Sequence, residues 1–352
     1  MIEVLSKWWR EIDRISFLII LFLIFIGIIL SFSVNKSFLP SNRHLIYALF
    51  SIILLVSLST LEIKTLRRFA LLGFIIFTII LVIVLLMNYE VKGSKRWIRI
   101  ANFTLQPSEF LKPFFLMVSA WFLSRGIEGQ KISMYIVFIT FFLIVCLMIL
   151  QPDFGMTLLF SASFFCQLFI AGLSLFFVLL AIFLLILLSI FSYFKFDHVR
   201  RRIDNFIDPS NNDTYQIDLS IKAFKSGGYL GKGPGQGILK ERIPDAHTDF
   251  IFAVAGEELG FLVCSIIIFL ILILIIRLLI NLFKIEKPDV IIAIVGLTSC
   301  YGLQSLINVF SSLGAIPTKG MTLPLISYGG SSMISSAILF GFLLSLTRKR
   351  RE

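Results

Sequence analysis

The chain has 352 residues, 58% of them hydrophobic and 15% charged, with a mean hydropathy of +0.96 and a net charge of +11. So much apolar surface excludes a soluble globular enzyme and predicts an all-α, polytopic membrane bundle formed by one domain over residues 1–352. Nucleic acid is excluded as a partner because no soluble stretch is large enough to present a basic face; beside a bilayer, with membrane lipids as neighbours, basic residues set orientation instead.

Ten apolar segments fit ten transmembrane helices. Lys7, Arg10 and Arg14 precede the first, Ile15 to Val34, which lacks a small-residue cleavage pattern and so reads as a span rather than a removed signal. The next four are Leu45 to Thr60, Phe69 to Met87, Ser108 to Ser124 and Ile132 to Leu150. Phe154 to Phe194 runs 41 residues without a charge, about two bilayer crossings, and divides at Ala171-Gly172-Leu173-Ser174. The last three lie within Phe250 to Phe283, Val290 to Phe310 and Gly329 to Leu346. The 38 phenylalanines read as packing and lipid-facing filler. Cys146, Cys166, Cys264 and Cys300 sit inside apolar runs without metal-ligand spacing and read as unpaired.

An even number of spans puts both termini on one side. If that side is cytoplasmic, the inner segments carry 15 basic residues and the short outer loops seven, the asymmetry that orientation rules require. The polar stretches then collect outside, around Gly93 to Trp97, Gln151 to Gly155, Pro317 to Gly320 and one long extracytoplasmic loop, 196–248. Within that loop, Asp213-Thr214-Tyr215-Gln216 fits a capping box. Ile217, Ile221 and Phe224 recur at helical spacing before Gly227-Gly228, which predicts an amphipathic helix lying at the outer interface, apolar face down.

Chemistry concentrates at the loop's end. Glu241, Arg242, Asp245, His247 and Asp249 precede the eighth span, and Glu257 and Glu258 lie two turns inside it. Ionisable groups at a membrane boundary are costly and therefore functional candidates, although a solvated loop and a charged first helical turn are the plainer reading. The run Gly231-Lys232-Gly233-Pro234-Gly235-Gln236-Gly237 matches neither the P-loop nor the dinucleotide fingerprint and reads as a close-approach turn. Lys95, Arg96 and Trp97 suit either an interfacial anchor or a phosphate site. Ser108 is placed to cap the fourth span, and Glu109 and Lys112, three apart, can pair there as a scaffold. Asp153 is either a helix N-cap or a group that binds a cation or orients another charge. In Lys319 to Ser332, a packing seam explains Gly329, Gly330, Ser331 and Ser332 but not Lys319.

In order, GSKRWI, LQPSEFLK, QPDFG, the GKGPGQG loop, PDAHTDFIFAVAGEELG and KGMTLPLISYGGSS resemble the SEDS proteins (shape, elongation, division and sporulation) from the third span to Ser332, and the cell-division branch more than the elongation branch. Ala101-Asn102, Gln236 and Leu325 depart from the common pattern without touching the acidic core. The resemblance implies a peptidoglycan glycosyltransferase at the outer face of the bacterial cytoplasmic (inner) membrane, at the division septum. Its substrate would be lipid II, and its partners a class B penicillin-binding transpeptidase and other division proteins. Asp249 would be the general base, with His247 the rival because its ordinary pKa lies nearer neutrality, and Glu241 a further catalytic candidate. Lys95, Arg96, Trp97, Asp153 and Lys319 would bind substrate, while Glu109, Lys112, Glu257, Glu258 and Ser331 would support the site. No cofactor is implied; carboxylates allow a divalent cation, but no ligand spacing demands one. A lipid II flippase and a division scaffold that recruits the transpeptidase are the alternatives.

Overall fold

The computed structural model describes residues 2–34, 38–87, 96–100, 103–173, 175–195, 200, 203–204, 215–318 and 320–349. Its helices are α1 (Ile2–Glu11), α2 (Arg14–Val34), α3 (Phe38–Thr60), α4 (Ile63–Leu86), α5 (Pro107–Ile127), α6 (Lys131–Leu150), α7 (Phe154–Ile170), α8 (Leu175–Lys195), α9 (Tyr215–Gly227), α10 (Ile251–Ile280), α11 (Pro288–Ser312) and α12 (Gly330–Leu346). Seven of them, α2 to α6, α10 and α11, are long and apolar enough to cross a membrane. α7 and α12 are shorter apolar helices of 17 residues, and α8 has 21 residues with no charge before Lys195. Helices α2 to α8 and α10 to α12 thus occupy the ten predicted segments, in an all-α polytopic membrane fold.

The bundle is apolar on both its inner and outer surfaces, because its solvent is hydrocarbon. α5 and α12 are buried along most of their length, whereas α4, α6 and α8 expose Ile76, Ile79, Ile139, Phe142 and Phe183. With little hydrophobic drive between helices in lipid, close packing and internal polar bonds hold them together. One example is Gln167 on α7, which reaches Ser119 Oγ at 2.7 Å, Leu116 O at 2.7 Å and Ile292 O at 3.2 Å.

Several local features differ from expectation. An amphipathic helix, α1, precedes the first span and buries Trp8 against Ser59 (Nε1 to Oγ, 2.8 Å). A two-stranded antiparallel hairpin, β1 (Ile98–Ile100) with β2 (Phe103–Leu105), leads into α5. The N-cap of α5 is Gln106, not Ser108, because Pro107 takes the first helical position, where its missing N–H costs nothing.

The largest departure is in the stretch after residue 214. α9 does not lie face-down on lipid; it buries Leu219, Ser220 and Ala223 against α10 and α11, with Ser220 Oγ 2.5 Å from Ser312 O. The stripe of Ile217, Ile221 and Phe224 also faces protein, the two isoleucines half-buried against Gly314 and Phe224 against Gly256 and Phe252. The chain then runs alongside α10, where that helix is broken at Gly260 (φ 77°, ψ −178°). The break frees two carbonyls and two amides inside the span, and the loop takes all four. Glu257 O accepts from Lys232 N (3.0 Å) and Glu258 O from Gly233 N (2.9 Å), while Phe261 N and Leu262 N donate to Gly228 O (2.9 Å) and Tyr229 O (3.2 Å). Non-helical backbone at this depth is tolerated because protein satisfies it.

At the end of the bundle that holds α1 and the last turn of α12, three ion pairs join distant elements: Arg277–Asp13 (2.6 Å), Arg348–Glu11 (2.8 Å) and Arg67–Asp289. Burial raises the Asp13 pKa, but bonds from Arg277 and Ser16 and the Arg277 charge outweigh it and hold the carboxyl below its ordinary value. The acidic loop lies at the opposite end.

Candidate active site

Asp249 is the last polar residue before α10, half-buried above Phe250 and Ile251. A tight turn delivers it. Asp245 adopts a positive φ of 55°, which Asp tolerates better than most residues, and its carbonyl accepts from both Thr248 N and Asp249 N at 3.0 Å. Three consecutive carbonyls of this turn are then captured, two from the α11–α12 connection and one from α11 itself. Tyr328 N donates to His247 O (2.9 Å), Ser327 Oγ to Thr248 O (2.6 Å) and Asn308 Nδ2 to Asp249 O (2.9 Å). Asn308 is buried within α11 and its Nδ2 also donates to Met321 O (2.6 Å), so one amide ties α10, α11 and the connection together. Opposite Asp249 stands Gly320, where a Cβ would sit 3.2 Å from Oδ2.

The strap before this turn is held by the paired glutamates of α10. Glu257 accepts from Ile238 N (2.9 Å), Leu239 N (3.0 Å), Lys240 N (3.1 Å) and Lys232 Nζ (3.1 Å). Glu258 accepts from Lys240 Nζ (2.5 Å), Gly235 N (3.2 Å), Gly237 N (3.3 Å) and Ser33 Oγ. Both carboxylates are fully desolvated yet richly bonded, which is how buried charge becomes tolerable. Glu241 closes the short 3-10 turn Leu239–Glu241 and is exposed.

Two more clusters converge on the same end. Asp153 occupies the N-cap position of α7, but its side chain does not cap. Instead it pairs with Arg96 Nη1 (3.3 Å) and accepts from Gln106 Nε2 (3.2 Å). Arg96 further donates to Gln151 O (3.5 Å) and Pro152 O, committing three of its five N–H donors. Trp97 beside it is half-buried. Deeper, Glu109 and Lys112 pair at 2.9 Å, and Lys112 Nζ reaches Gln304 Oε1 at 2.7 Å. Gln304 Nε2 in turn donates to Thr322 O (3.2 Å), and Thr322 Oγ1 meets Ser332 Oγ at 2.6 Å. Glu109, Lys112, Tyr301 and Gln304 line a cavity of about 10 Å³, room for one water. Ser331 Oγ accepts from Gln106 N (3.0 Å) and donates to Thr104 O (3.1 Å), docking β2 on α12.

The structure therefore brings His247 and Asp249 together on one braced turn and sets Arg96, Asp153 and Trp97 around the start of α7. Lys95 and Lys319 lie outside the described residues, as do Asp213 and Thr214 of the expected capping box. Among the described residues no group of three or more His, Cys, Asp and Glu side chains could hold a metal ion. Asn308, Gln304 and Ser327 were missed by sequence reading. The signal was present for the first two, since an amide side chain inside an apolar span is expensive and rarely idle.

Comparison with known proteins agrees on one family. Residues 11–352 match the FtsW/RodA/SpoVE family, described as cell cycle proteins. The "Probable peptidoglycan glycosyltransferase FtsW" of Caulobacter vibrioides is 36% identical over 359 residues, covering 98% of this chain and 92% of that protein. The same-named protein of Wigglesworthia glossinidia brevipalpis is 34% identical over 343 residues, covering 92% and 90%. Among solved structures, a chain of a peptidoglycan synthase complex that coordinates polymerization and crosslinking superposes with a TM-score of 0.80 at 23% identity, covering 96% and 97%. The rod shape determining protein RodA of Thermus thermophilus does so with a TM-score of 0.72 at 24% identity and the same coverage. These likenesses show the fold.

Proposed function

From the premise that the chain belongs to the FtsW/RodA/SpoVE cell cycle protein family, the SEDS proteins its motifs resemble, we propose that it is a peptidoglycan glycosyltransferase of the cell-division type that polymerises lipid II outside the cytoplasmic membrane. The observation that carries the site assignment is the braced turn, where three successive carbonyls are pinned so that His247 and Asp249 are held at the membrane boundary.

In this reading the C4 hydroxyl oxygen of the acceptor lipid II attacks the anomeric carbon of the growing chain. Asp249 takes the hydroxyl proton, the C1–O bond to pyrophosphate breaks, and the polyprenyl pyrophosphate departs with the electron pair. The α-linked donor becomes a β-1,4 glycoside. His247 positions the turn through its carbonyl and is the alternative base, with Glu241 next in line on the same strap. Asp153 orients Arg96, whose uncommitted N–H donors meet the pyrophosphate together with Lys95, Lys319 and Trp97. Glu257 and Glu258 hold the strap, while Glu109, Lys112 and Ser331 support the connection behind Asp249. An outward-facing site has no nucleotide sugar, so a lipid pyrophosphate must supply the energy.

Location at the septum, both termini inside and a class B penicillin-binding transpeptidase as partner complete the proposal; a relative of the same fold lies in a peptidoglycan synthase complex. Flipping of lipid II is the second reading. Against it stands the inter-element ion pairing at the end that holds α1, where alternating access would have to open. The deciding experiment gives purified protein lipid II without a partner and assays glycan chains. Chains that depend on Asp249 support the polymerase; vesicle translocation of lipid II without any chains would replace it with the flippase.

A further inference from the structure

At the end that holds α1, the arginines divide into two kinds. Arg67, Arg277 and Arg348 each take a carboxylate from another element. Arg14 and Arg125 take an indole instead. The Arg14 guanidinium lies 5.5 Å from the centre of the Trp9 ring, and that of Arg125 lies 4.5 Å from the Trp121 ring. Arg125 reaches this end because α5 starts beside the active site, where Gln106 meets Asp153, and finishes one crossing away. Both arginines are exposed, and neither pairs with a carboxylate among the described residues.

The first stack is held in place by protein. Trp8 Nε1 on Ser59 Oγ (2.8 Å) and Lys349 N on Glu11 O (3.0 Å) clamp α1 to the bundle, and Arg14 Nε is fastened to Trp9 O at 2.9 Å. Lys7, Trp9 and Arg10 are thereby presented outward on a fixed surface. The nearby carboxylates are already taken, Glu11 by Arg348 and Asp13 by Arg277. An indole covers one face of a guanidinium and leaves its edge open. Arg14 has spent one of its five N–H donors, on Trp9 O, and Arg125 none among the described residues. Such a planar fork matches two oxygens of a phosphate. Trp9, 38% exposed, is costly in water but favoured where headgroups meet acyl chains, which points to a lipid rather than a free anion.

We propose that the Trp9–Arg14 and Trp121–Arg125 stacks are two seats for acidic phospholipid headgroups in the leaflet at the α1 end. Each guanidinium edge holds a phosphate while the indole lies at the level of the glycerol, and Lys7 and Arg10 add charge at the first seat. Orientation of the chain needs only positive charge on one side; a seat goes further and retains a countable lipid of one charge class.

The test counts those lipids. Purified full-length protein, stripped of lipid in detergent, is given phosphatidylglycerol or phosphatidylcholine with the same acyl chains and examined by native mass spectrometry. The parent should retain two more molecules of phosphatidylglycerol than of phosphatidylcholine. Arg14→Gln and Arg125→Gln should each retain one, and the double variant none, with binding at the altered seat weakened about fivefold or more, the scale of one basic residue beside an acidic surface. Lys64→Gln removes an exposed base of the same end that has no indole stacked on it, and should leave the count unchanged. Equal retention of the two lipids by the parent overturns the seats. So does an equal loss from Lys64→Gln and Arg14→Gln, because diffuse charge would then account for the binding. Displacement of phosphatidylglycerol by millimolar inorganic phosphate would make these free-anion sites and overturn the lipid assignment. Arg125→Gln, on a separate element, decides the matter if Arg14→Gln does not fold.

Discussion

Two residues separate chemistry from support. Asp249→Asn keeps size and hydrogen bonding but cannot accept the proton. Loss of a general base costs about a hundredfold to ten-thousandfold in rate, or about 3 to 5.5 kcal/mol of transition-state stabilisation. His247→Ala should cost less, because its tie to Tyr328 is through the backbone; an active, folded Asp249→Asn beside an inactive His247→Ala would move the base to His247. Asn308 acts through Asp249, so Asn308→Leu should slow polymerisation in the parent yet add little to Asp249→Asn. Additive losses in that cycle would reduce Asn308 to a packing role. Arg96 combines support with binding. Among the described residues, Arg96→Ala leaves the buried Asp153 carboxylate with only Gln106, at a cost of about 1.5–3 kcal/mol. Arg96→Lys should restore little of either activity or melting temperature, since an ammonium cannot reproduce the planar fork that meets Gln151 O, Pro152 O and Asp153. An Arg96→Lys protein with parental activity and stability would show that charge alone suffices.

At the scale of elements, α9 and the loop after it are as much part of the bundle as a span. Gly227 meets the backbone of Gly256, and a Cβ there would lie 2.0 Å from its carbonyl oxygen. Gly227→Ala must push α9 off α10, an overpacking cost of about 1–3 kcal/mol. Gly235 has a positive φ of 80° but open space around its missing Cβ, so Gly235→Ala should cost only backbone strain of about 1 kcal/mol. Melting curves in detergent should rank parent, Gly235→Ala and Gly227→Ala in falling order. Equal melting points for the two variants would mean that the loop is not docked on α10. Because the loop also satisfies the broken backbone at Gly260, its release should loosen the first turns of α10, on which Asp249 rides.

For the whole molecule, the two ends have different work. One end is tied by ion pairs between elements far apart in the chain, and the other holds the braced turn and its neighbours. The basic-residue asymmetry predicts that the first end is cytoplasmic. Single cysteines at Ser210 and at Glu352, placed in a cysteine-free protein, should therefore label from opposite sides of the membrane, with Ser210 accessible from outside. Labelling from one side would remove the ten-span topology and, with it, the argument for a lipid-linked donor.

The sequence by itself determined the class, the ten apolar segments and the stretches that bear chemistry, because a helix in lipid satisfies its own backbone and hydropathy is read locally. It also carried the family, through six motifs in order. Even the Glu109–Lys112 pair was legible, since a spacing of three places both on one face. What the tertiary structure decided are the partnerships. Asn308 lies 59 residues from the carbonyl it holds, Ser327 79 residues from its own, and Gln106 225 residues from the hydroxyl that receives its amide. Local pattern assigned the apolar stripe of α9 to lipid; in the fold that stripe meets Gly256, Phe252 and Gly314, because other elements were there to receive it. It likewise left Asp153 as either a helix cap or a group that binds a cation or orients another charge, and only the folded chain brought Arg96, more than fifty residues upstream, close enough to take the carboxylate. Hydrogen-bonded partners distant in sequence leave no periodicity behind, so no reading of one chain along its length could have supplied them.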